Sequence, residues 1–345
     1  MSSNTPLRGA IIGAGFFAAF QADAWRRMDS ARIVAVADGL PGRAQEFAAQ
    51  WDIPRAYRNA EEMLDKEKLD FVDIVTRPST HLALTRLGAA HKLHVICQKP
   101  MAPTIEECML MLAACESAGV RLLIHENWRW QPWYREARRI LDSGSLGNLF
   151  YAGFHLRSGD GLGPEPYKAQ PYFREMPMLL MYEMGIHFID TFRYLVDEIA
   201  ALRCRMRKVN PIIAGEDCAV IELSFRNGVQ GAFDANRISG PAPPPVAFGH
   251  MRLEGDRGML RMTPYGKLFL TEYGQPEQEH MFHAPAVDNK GGYKGDSILA
   301  LQTHLIEGLR TGAACESDAA AYLPSVRAVF ACYDSSRTGQ VVYLD

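Results

Sequence analysis

The first third of the chain alternates short β-branched runs with longer stretches of helical periodicity. Strands are predicted at Ala10–Ile12, Arg32–Ala37, Phe71–Val75, Leu93–Cys97 and Arg121–Ile124, and helices at Phe17–Met28, Arg43–Gln50, His81–Ala90 and Thr104–Ala118. Strand–helix alternation of this kind predicts an α/β fold with a doubly wound parallel sheet and right-handed crossovers. Several strands are continuous apolar runs, which is expected when helices cover both faces of a sheet.

The pattern changes after Trp128, where strand follows strand. Asn227-Gly228 is a two-residue hairpin signal, and Gly255–Gly258 separates two further short strands. We therefore expect a mainly antiparallel sheet with helices on one side. The predicted elements are a helix at Tyr134–Leu141, strands at Ala219–Phe225, Val229–Ala235, Met251–Glu254 and Met259–Met262, loops at Ser239–Phe248 and Val287–Asp296, helices at Ile298–Arg310 and Ala319–Asp334, and a strand at Gln340–Leu344.

Composition limits the classes of function. The length of 345 residues predicts two domains, and 37 Lys and Arg against 40 Asp and Glu give a net charge of -3, so we expect no nucleic-acid partner. Apolar runs such as Met109–Cys115 are too short to cross a bilayer, and few residues precede the first strand, so we expect neither membrane association nor a signal peptide. Seven cysteines without a CxxC pair are typical of a reducing, cytoplasmic environment.

A glycine loop follows the first strand and opens a helix. In Gly13-Ala14-Gly15-Phe16-Phe17-Ala18, the glycines would let a pyrophosphate approach the backbone N–H groups at a helix N-terminus. Asp38 ends the next strand, where a carboxylate can accept hydrogen bonds from the adenosine ribose and repel a 2′-phosphate. The pattern predicts NAD rather than NADP, although Arg43 could lessen the difference. The alternative is a tight turn followed by a solvated aspartate.

Several further motifs, taken in order along nearly the whole chain, resemble those of the Gfo/Idh/MocA oxidoreductases, the glucose–fructose oxidoreductase and inositol dehydrogenase family. They are Val36-Ala37-Asp38, Thr76-Arg77-Pro78-Ser79-Thr80-His81, Gln98-Lys99-Pro100, His125-Glu126-Asn127-Trp128-Arg129 and Glu183-Met184-Gly185-Ile186-His187-Phe188-Ile189-Asp190. The resemblance implies a Rossmann dinucleotide-binding domain over residues 1–126. It also implies an α+β domain over residues 127–345, which binds the substrate and whose open sheet forms a homodimer or homotetramer.

The chain departs from the family pattern at four places. Gln98 stands where Glu is usual, Glu183 where Asp is usual, and Gln21 where His is common. Pro177-Met178-Leu179-Leu180 replaces a frequent Gly-Gly pair, which changes the approach to the substrate. The family implies hydride transfer between a nicotinamide and a sugar, polyol or sugar acid, and these departures leave the particular substrate open.

Lys99 is predicted just beyond a strand, at the edge of the sheet where doubly wound folds bind ligands. Pro100 disfavours the helical region at Lys99, and an X-Pro bond can adopt the cis form, which would fix the direction of the lysine. By resemblance, Lys99 would contact the cofactor and the substrate and stabilise a developing alkoxide. A solvated loop lysine is the alternative.

Leu179–Val196 is predicted to be a largely apolar helix that carries Glu183, His187 and Asp190 on one stripe. We expect His187 to act as the general base for a substrate hydroxyl and Glu183 to orient the imidazole or the substrate. Asp190 is expected to support the structure. The alternative is that the three groups form only a structural hydrogen-bond network.

Other candidates fall into two sets. Those expected near the cofactor, besides the glycine loop, Asp38 and Arg43, are Thr76, Pro78, His81, Gln98 and Asn127. Those expected near the substrate are Arg129, Arg157, Asp160 and Tyr172. Trp128, Trp130 and Trp133 are expected in the core, and His155 with Cys204 or Cys218 lacks metal-ligand spacing, so no metal is predicted.

The leading hypothesis is an NAD-dependent carbohydrate dehydrogenase. One alternative is an enzyme that cleaves a glycoside or isomerises a sugar with retained NAD. The other is a non-catalytic dinucleotide-binding regulator, which would need neither Lys99 nor His187.

Overall fold

The computed structural model describes residues 5–241, 244–284 and 292–344. Contacts divide the chain into two compact units, Met1–Asn127 with Asp296–Leu323 and Trp128–Gly295 with Pro324–Asp345. Parts of the two predicted loops, residues 242–243 and 287–291, lie outside the described residues. In the described part of the chain, every helix is too short or too polar to cross a membrane.

A parallel sheet forms the centre of the first unit, in the order β3-β2-β1-β4-β5-β6. Its strands are β1 (Leu7–Ile12), β2 (Ala31–Ala37), β3 (Arg55–Tyr57), β4 (Phe71–Ile74), β5 (His94–Gln98) and β6 (Leu122–His125). Every neighbouring pair is parallel, which confirms the predicted doubly wound sheet. The segments that follow β1, β2, β4 and β5 therefore share one edge of the sheet.

Helices alternate with these strands. They are α1 (Phe16–Arg26), α2 (Arg43–Gln50), α3 (Ala60–Lys66), α4 (His81–Ala90) and α5 (Ile105–Ala118). Helix α5 begins one residue later than predicted because Thr104 is its N-cap, whose hydroxyl accepts a hydrogen bond from the Glu107 N–H at 3.1 Å. Gly119 ends α5 in the left-handed region, with φ at 71°.

Strand β3 and helix α3 were not predicted from the sequence. Strand β3 has only three residues, all partly or fully exposed, so it lacks the apolar run by which a strand is recognised. Helix α3 buries only Met63 and Leu64. Its N-terminus is held by Asn59, whose side-chain oxygen accepts a hydrogen bond from the Glu61 N–H at 2.8 Å.

The second unit contains a mixed sheet in the order β14-β13-β12-β11-β7-β10-β9-β8-β15. Strands β7 and β10 are parallel, and the other neighbouring pairs are antiparallel, as predicted for most of this sheet. The strands are β7 (Leu149–Arg157), β8 (Ile199–Arg207), β9 (Cys218–Phe225), β10 (Gln230–Asn236), β11 (Gly249–Gly255), β12 (Gly258–Met262), β13 (Leu268–Glu272), β14 (Gln278–His280) and β15 (Val342–Tyr343).

The remaining helices are α6 (Pro132–Asp142), α7 (Ile186–Leu195), α8 (Ser297–Thr311) and α9 (Ala319–Thr338). Helix α7 packs on one face of the second sheet. Its Phe188 ring lies 4.4 Å from the Phe154 ring and 5.0 Å from the Phe233 ring, measured between centroids. Helix α8 belongs to the first unit, where it packs against α1.

Candidate active site

Two glycines determine the conformation of the loop between β1 and α1. Gly13 has φ of 103°, and a Cβ there would lie 2.4 Å from the carbonyl oxygen of Val75, so no other residue fits without rearrangement. Gly15 is the N-cap of α1 and provides no side chain to bond the first helical turn. A Cβ on Gly15 would extend into space where its nearest neighbour is the Arg43 guanidinium, 4.0 Å away. Ala18 is buried, as expected for close packing of helix and strand.

Asp38 is fixed beside this loop by backbone donors. One carboxylate oxygen accepts the Ala14 N–H at 2.8 Å, and the other accepts the Leu40 N–H at 2.9 Å. Arg43 Nε donates to the Ala14 carbonyl oxygen at 3.0 Å. Because a carboxylate has about four acceptor positions, Asp38 retains capacity for the two ribose hydroxyls. The loop and the carboxylate therefore fit a bound NAD.

Thr76 and His81 lie in the segment that follows β4. The Thr76 hydroxyl is 2.7 Å from the Thr80 hydroxyl, and Pro78 begins a short 3₁₀ turn between them. Burial lowers the pKa of His81, and its two ring nitrogens each lie 3.1 Å from a carbonyl oxygen, of Met101 and of Thr76. His81 therefore joins two loops at the edge of the sheet.

Lys99 follows β5 at the same edge, is partly buried, and forms a cis peptide bond with Pro100. Its backbone N–H donates to the Gln98 side-chain oxygen at 2.8 Å. Asn127 is buried, and its side-chain amide donates to the Ser297 hydroxyl at 2.8 Å.

The helix predicted over Leu179–Val196 differs from the structure in its first part. Leu180–Gly185 is a π-helical turn, and α7 begins at Ile186. Glu216 holds the start of this turn, because its carboxylate accepts the backbone N–H groups of Leu179 and Met181. The chain therefore passes from a π-helical turn, which carries Glu183, to the α-helix that carries His187 and Asp190. Each of the three buried groups has its own partner.

Glu183 belongs to a buried charge cluster around Arg237. Arg237 donates to Glu183 Oε2 at 3.2 Å and to Asp160 Oδ1 at 3.1 Å, and its guanidinium lies 4.3 Å from the Tyr167 ring centroid. Burial alone would lower the pKa of Arg237, but Asp160 and Glu183 offset this and raise it. The Ser158 hydroxyl donates to Asp160 at 2.6 Å. Sequence reasoning missed Arg237, which follows β10 without any local motif.

His187 stacks on Trp128, with 4.5 Å between ring centroids and 21° between planes. Phe248 stacks on Trp128 at 5.7 Å. Lys294 Nζ lies 3.5 Å from the Phe248 centroid and 4.9 Å from the Trp128 centroid, and burial holds the pKa of Lys294 well below its usual range. Lys294 was also missed, since its only signal was a Gly/Lys-rich loop.

Arg129 and Arg157 are both held by carboxylates. Arg129 makes two hydrogen bonds of 2.7 Å to Asp190, which also accepts from the Ser325 hydroxyl at 3.1 Å. Arg157 pairs with Asp234 at 2.5 Å. Neighbouring residues of a strand point to opposite faces of a sheet, and Phe233 faces α7, so Asp234 and Arg157 lie on the opposite face.

The other predicted residues of this unit have ordinary surroundings. The Tyr172 hydroxyl donates to the Gln170 side chain at 3.1 Å. Trp128, Trp130 and Trp133 are buried, in agreement with their expected place in the core. Within the ranges described, His, Cys, Asp and Glu side chains form no group of three or more that could hold a metal ion.

Family models cover most of the chain. Residues 7–126 match the model described as "Oxidoreductase family, NAD-binding Rossmann fold", and residues 134–261 match the model described as "GFO/IDH/MocA C-terminal domain". These matches cover both the parallel sheet and most of the second sheet.

Individual proteins are similar over two thirds or more of the chain. The chain is 32% identical to a D-apiose dehydrogenase of Rhizobium rhizogenes, over 98% of this chain and 97% of that protein. It is 27% identical to a scyllo-inositol 2-dehydrogenase (NAD(+)) of Bacillus subtilis, over 68% of each. The crystal structure of an oxidoreductase from Agrobacterium radiobacter in complex with NAD+, L-tartaric acid and magnesium superposes with a TM-score of 0.91, at 32% identity and 98% coverage of both chains.

Proposed function

Because the chain belongs to the Gfo/Idh/MocA family of NAD-binding oxidoreductases, we propose that it is an NAD-dependent carbohydrate dehydrogenase. It transfers a hydride between NAD, in preference to NADP, and a hydroxyl-bearing carbon of a sugar, polyol or sugar acid. The observation that carries this proposal is the glycine loop with Asp38 fixed beside it, in a chain that is similar over almost its whole length to a sugar dehydrogenase.

The first unit supplies the cofactor contacts in this proposal. Bound NAD provides a hydride acceptor at its nicotinamide. Gly13 and Gly15 leave room for the pyrophosphate, Asp38 accepts the ribose hydroxyls, and Phe16, Phe17 and Ala18 form the first turn of α1 beneath it. Further contacts are proposed for Arg43, Thr76, Pro78, His81, Gln98, Lys99 and Asn127.

The proposed reaction has three separate roles, which are carried by Lys99, His187 and Glu183. A ring nitrogen of His187 accepts the proton of the substrate hydroxyl as the carbon loses its hydride. The Lys99 ammonium stabilises the negative charge that develops on that oxygen. Glu183, held by Arg237, accepts a hydrogen bond from a neighbouring substrate hydroxyl. Trp128 fixes the plane of the His187 ring through stacking.

Of the remaining substrate candidates, Asp160 is the best suited, because it shares Arg237 with Glu183. Arg129 can bind substrate only with guanidinium N–H groups that do not donate to Asp190, and Tyr172 only as an acceptor while its hydroxyl donates to Gln170. Arg157 is the least suited, since Asp234 holds it on the opposite face of the sheet from α7.

We further propose a homodimer or homotetramer in the cytoplasm. The outer face of the second sheet carries Val220, which is 51% exposed, and Tyr151. None of the seven cysteines, all of which lie in the described part of the chain, forms a disulfide, which suits a reducing compartment. Light scattering measures the molecular mass of the assembly. Val220→Glu places a charge on the outer face of the second sheet and should lower that mass. Fractionation of cells tests the location.

NADH formation with a panel of substrates tests the proposed activity. The panel holds branched and linear sugars, inositols, sugar acids and glycosides, each with NAD and with NADP. Steady NADH production from at least one sugar, polyol or sugar acid is expected. Release of a free sugar from a glycoside without net NADH, from protein that carries bound NAD, would instead indicate an enzyme that retains its cofactor.

A further inference from the structure

A buried carboxylate in the first unit takes no part in the proposed mechanism. Asp73 lies in β4 among Phe71, Val72 and Ile74 and is fully buried. Placing a carboxylate in the covered centre of a parallel sheet is costly unless it is well paired. Its donors are the Trp25 indole N–H at 2.7 Å and the Gln21 side-chain amide at 3.1 Å, both from α1.

Two glutamines link this carboxylate to Lys99. The Gln21 amide NH₂ faces Asp73, so the Gln21 oxygen faces the Gln98 NH₂, 3.5 Å away. The Gln98 oxygen then accepts the backbone N–H of Lys99 at 2.8 Å. Gln21 is fully buried and Gln98 nearly so.

The direction of this chain of hydrogen bonds is set at both ends. An ionised carboxylate can only accept, and a backbone N–H can only donate. Turning both amides around would place oxygen against the carboxylate and NH₂ against the Lys99 N–H. At a pH above about 7, where Asp73 is ionised, its charge therefore favours the one orientation in which Gln98 holds the backbone of Lys99.

We propose that Asp73 is a positioning residue for Lys99 and acts through Gln21 and Gln98. This inference depends on the proposed function, in which Lys99 is catalytic. Gln21 and Gln98, two of the positions at which the chain departs from the family pattern, contact each other.

Single and paired substitutions test the hydrogen bonds between Asp73 and Lys99 one at a time. In Gln98→Glu, a carboxylate oxygen faces the Gln21 oxygen, so the series of hydrogen bonds from Asp73 to Lys99 is interrupted. Adding Gln21→His should repair it, because an imidazolium can donate to Asp73 and to the new carboxylate. Trp25→Phe removes the other donor to Asp73 and leaves the hydrogen bonds from Asp73 to Lys99 intact. Asp73→Leu in the Trp25→Phe background then removes the anchor without leaving an indole N–H unpaired.

The measurement is kcat and the KM for NAD of each purified variant with one turned-over substrate. Since small displacements of a catalytic group reduce rates strongly, we expect Gln98→Glu to lower kcat about 10-fold. The Gln21→His/Gln98→Glu pair should return to within about 3-fold of wild type. Asp73→Leu/Trp25→Phe should have a kcat about 10-fold below that of Trp25→Phe, with little change in the KM for NAD.

Two results would overturn the inference: a paired variant no faster than Gln98→Glu, or equal kcat for Trp25→Phe and Asp73→Leu/Trp25→Phe. Lys99→Met distinguishes this failure from that of the proposed function. If Lys99→Met abolishes turnover and the Asp73 comparison shows no change, only the positioning role is wrong. If Lys99→Met leaves turnover intact, the catalytic role proposed for Lys99 is wrong, and the positioning role of Asp73 is wrong with it.

Discussion

The edge of the parallel sheet in the first unit and the buried charge cluster of the second are assembled in different ways. At the sheet edge, the site consists of segments that directly follow strands, and Gly13, Gly15 and Asp38 act through backbone geometry or backbone hydrogen bonds. In the second unit, Glu183 is held by Arg237, 54 residues further along the chain, and Asp160 shares that arginine.

This difference decides which residues a sequence reveals. Strand ends in a parallel sheet converge whatever the side chains are, so a local motif predicts its own position. A buried carboxylate requires a cation from any part of the chain, and the sequence carries no local mark of the partner. Variants in the two regions should therefore fail in different ways, through cofactor selection in the first unit and through turnover or stability in the second.

The largest expected effect is a loss of turnover caused by a substitution in the second unit. His187→Gln removes the proposed base and should lower kcat by about 10²- to 10⁴-fold. His283, an exposed histidine of the same unit, provides the control, and His283→Gln should stay within about 2-fold of wild type. Steady-state rates of NADH formation measure both, and similar rates for the two variants would contradict the role of His187.

The pH dependence of stability tests the buried charge of the first unit. Burial raises the pKa of Asp73 to about 7 from 3.8, although its hydrogen bonds with Trp25 and Gln21 oppose the change. The folded state therefore binds this proton more tightly, and stability falls as the pH rises from about 4 to about 7, by the order of 4 kcal/mol. Denaturant unfolding of the wild type and of Asp73→Asn should show this loss of stability between pH 4 and pH 7 in the wild type only. If the free energies of unfolding of the two proteins changed in parallel with pH, the prediction would be contradicted.

Arg237 tests whether the second unit depends on charge balance. Arg237→Met leaves Glu183 and Asp160 without their shared cation and should reduce the free energy of unfolding by about 3–5 kcal/mol. Arg261 also holds a carboxylate, Glu277, through two hydrogen bonds, but about a third of each side chain is exposed. Arg261→Met should cost about 1 kcal/mol or less. Equal losses in chemical denaturation would show that burial is not the deciding factor.

The smallest expected effect concerns cofactor choice in the first unit. Asp38→Ser removes the acceptor of the ribose hydroxyls and the repulsion of a 2′-phosphate, so the ratio of kcat/KM for NAD over NADP should fall about 10-fold. Asp65→Ser, at an exposed position of the same unit, should leave the ratio unchanged. An unchanged ratio in Asp38→Ser would remove Asp38 from the ribose site.

The sequence was sufficient for the parallel sheet and for the antiparallel character of the second sheet, because hydrophobic periodicity and hairpin signals are local. Four strands of the second sheet, β7, β8, β13 and β14, were not predicted. The sequence did not predict the π turn at Leu180–Gly185, whose N-terminal N–H groups are held by the distant Glu216. It also missed Lys294, which is buried against Trp128 and Phe248. Asp73 had a usable signal, since it is a lone charged residue within a continuous apolar strand.

Direct hydride transfer is tested by isotope labelling. With a substrate carrying deuterium on the reacting carbon, we expect mass spectrometry to find one deuterium in the reduced cofactor and none lost to water. The deuterated substrate should also be oxidised more slowly if hydride transfer limits the rate. Reduced cofactor without deuterium, or product formed without reduction of NAD, would contradict the assignment as a dehydrogenase.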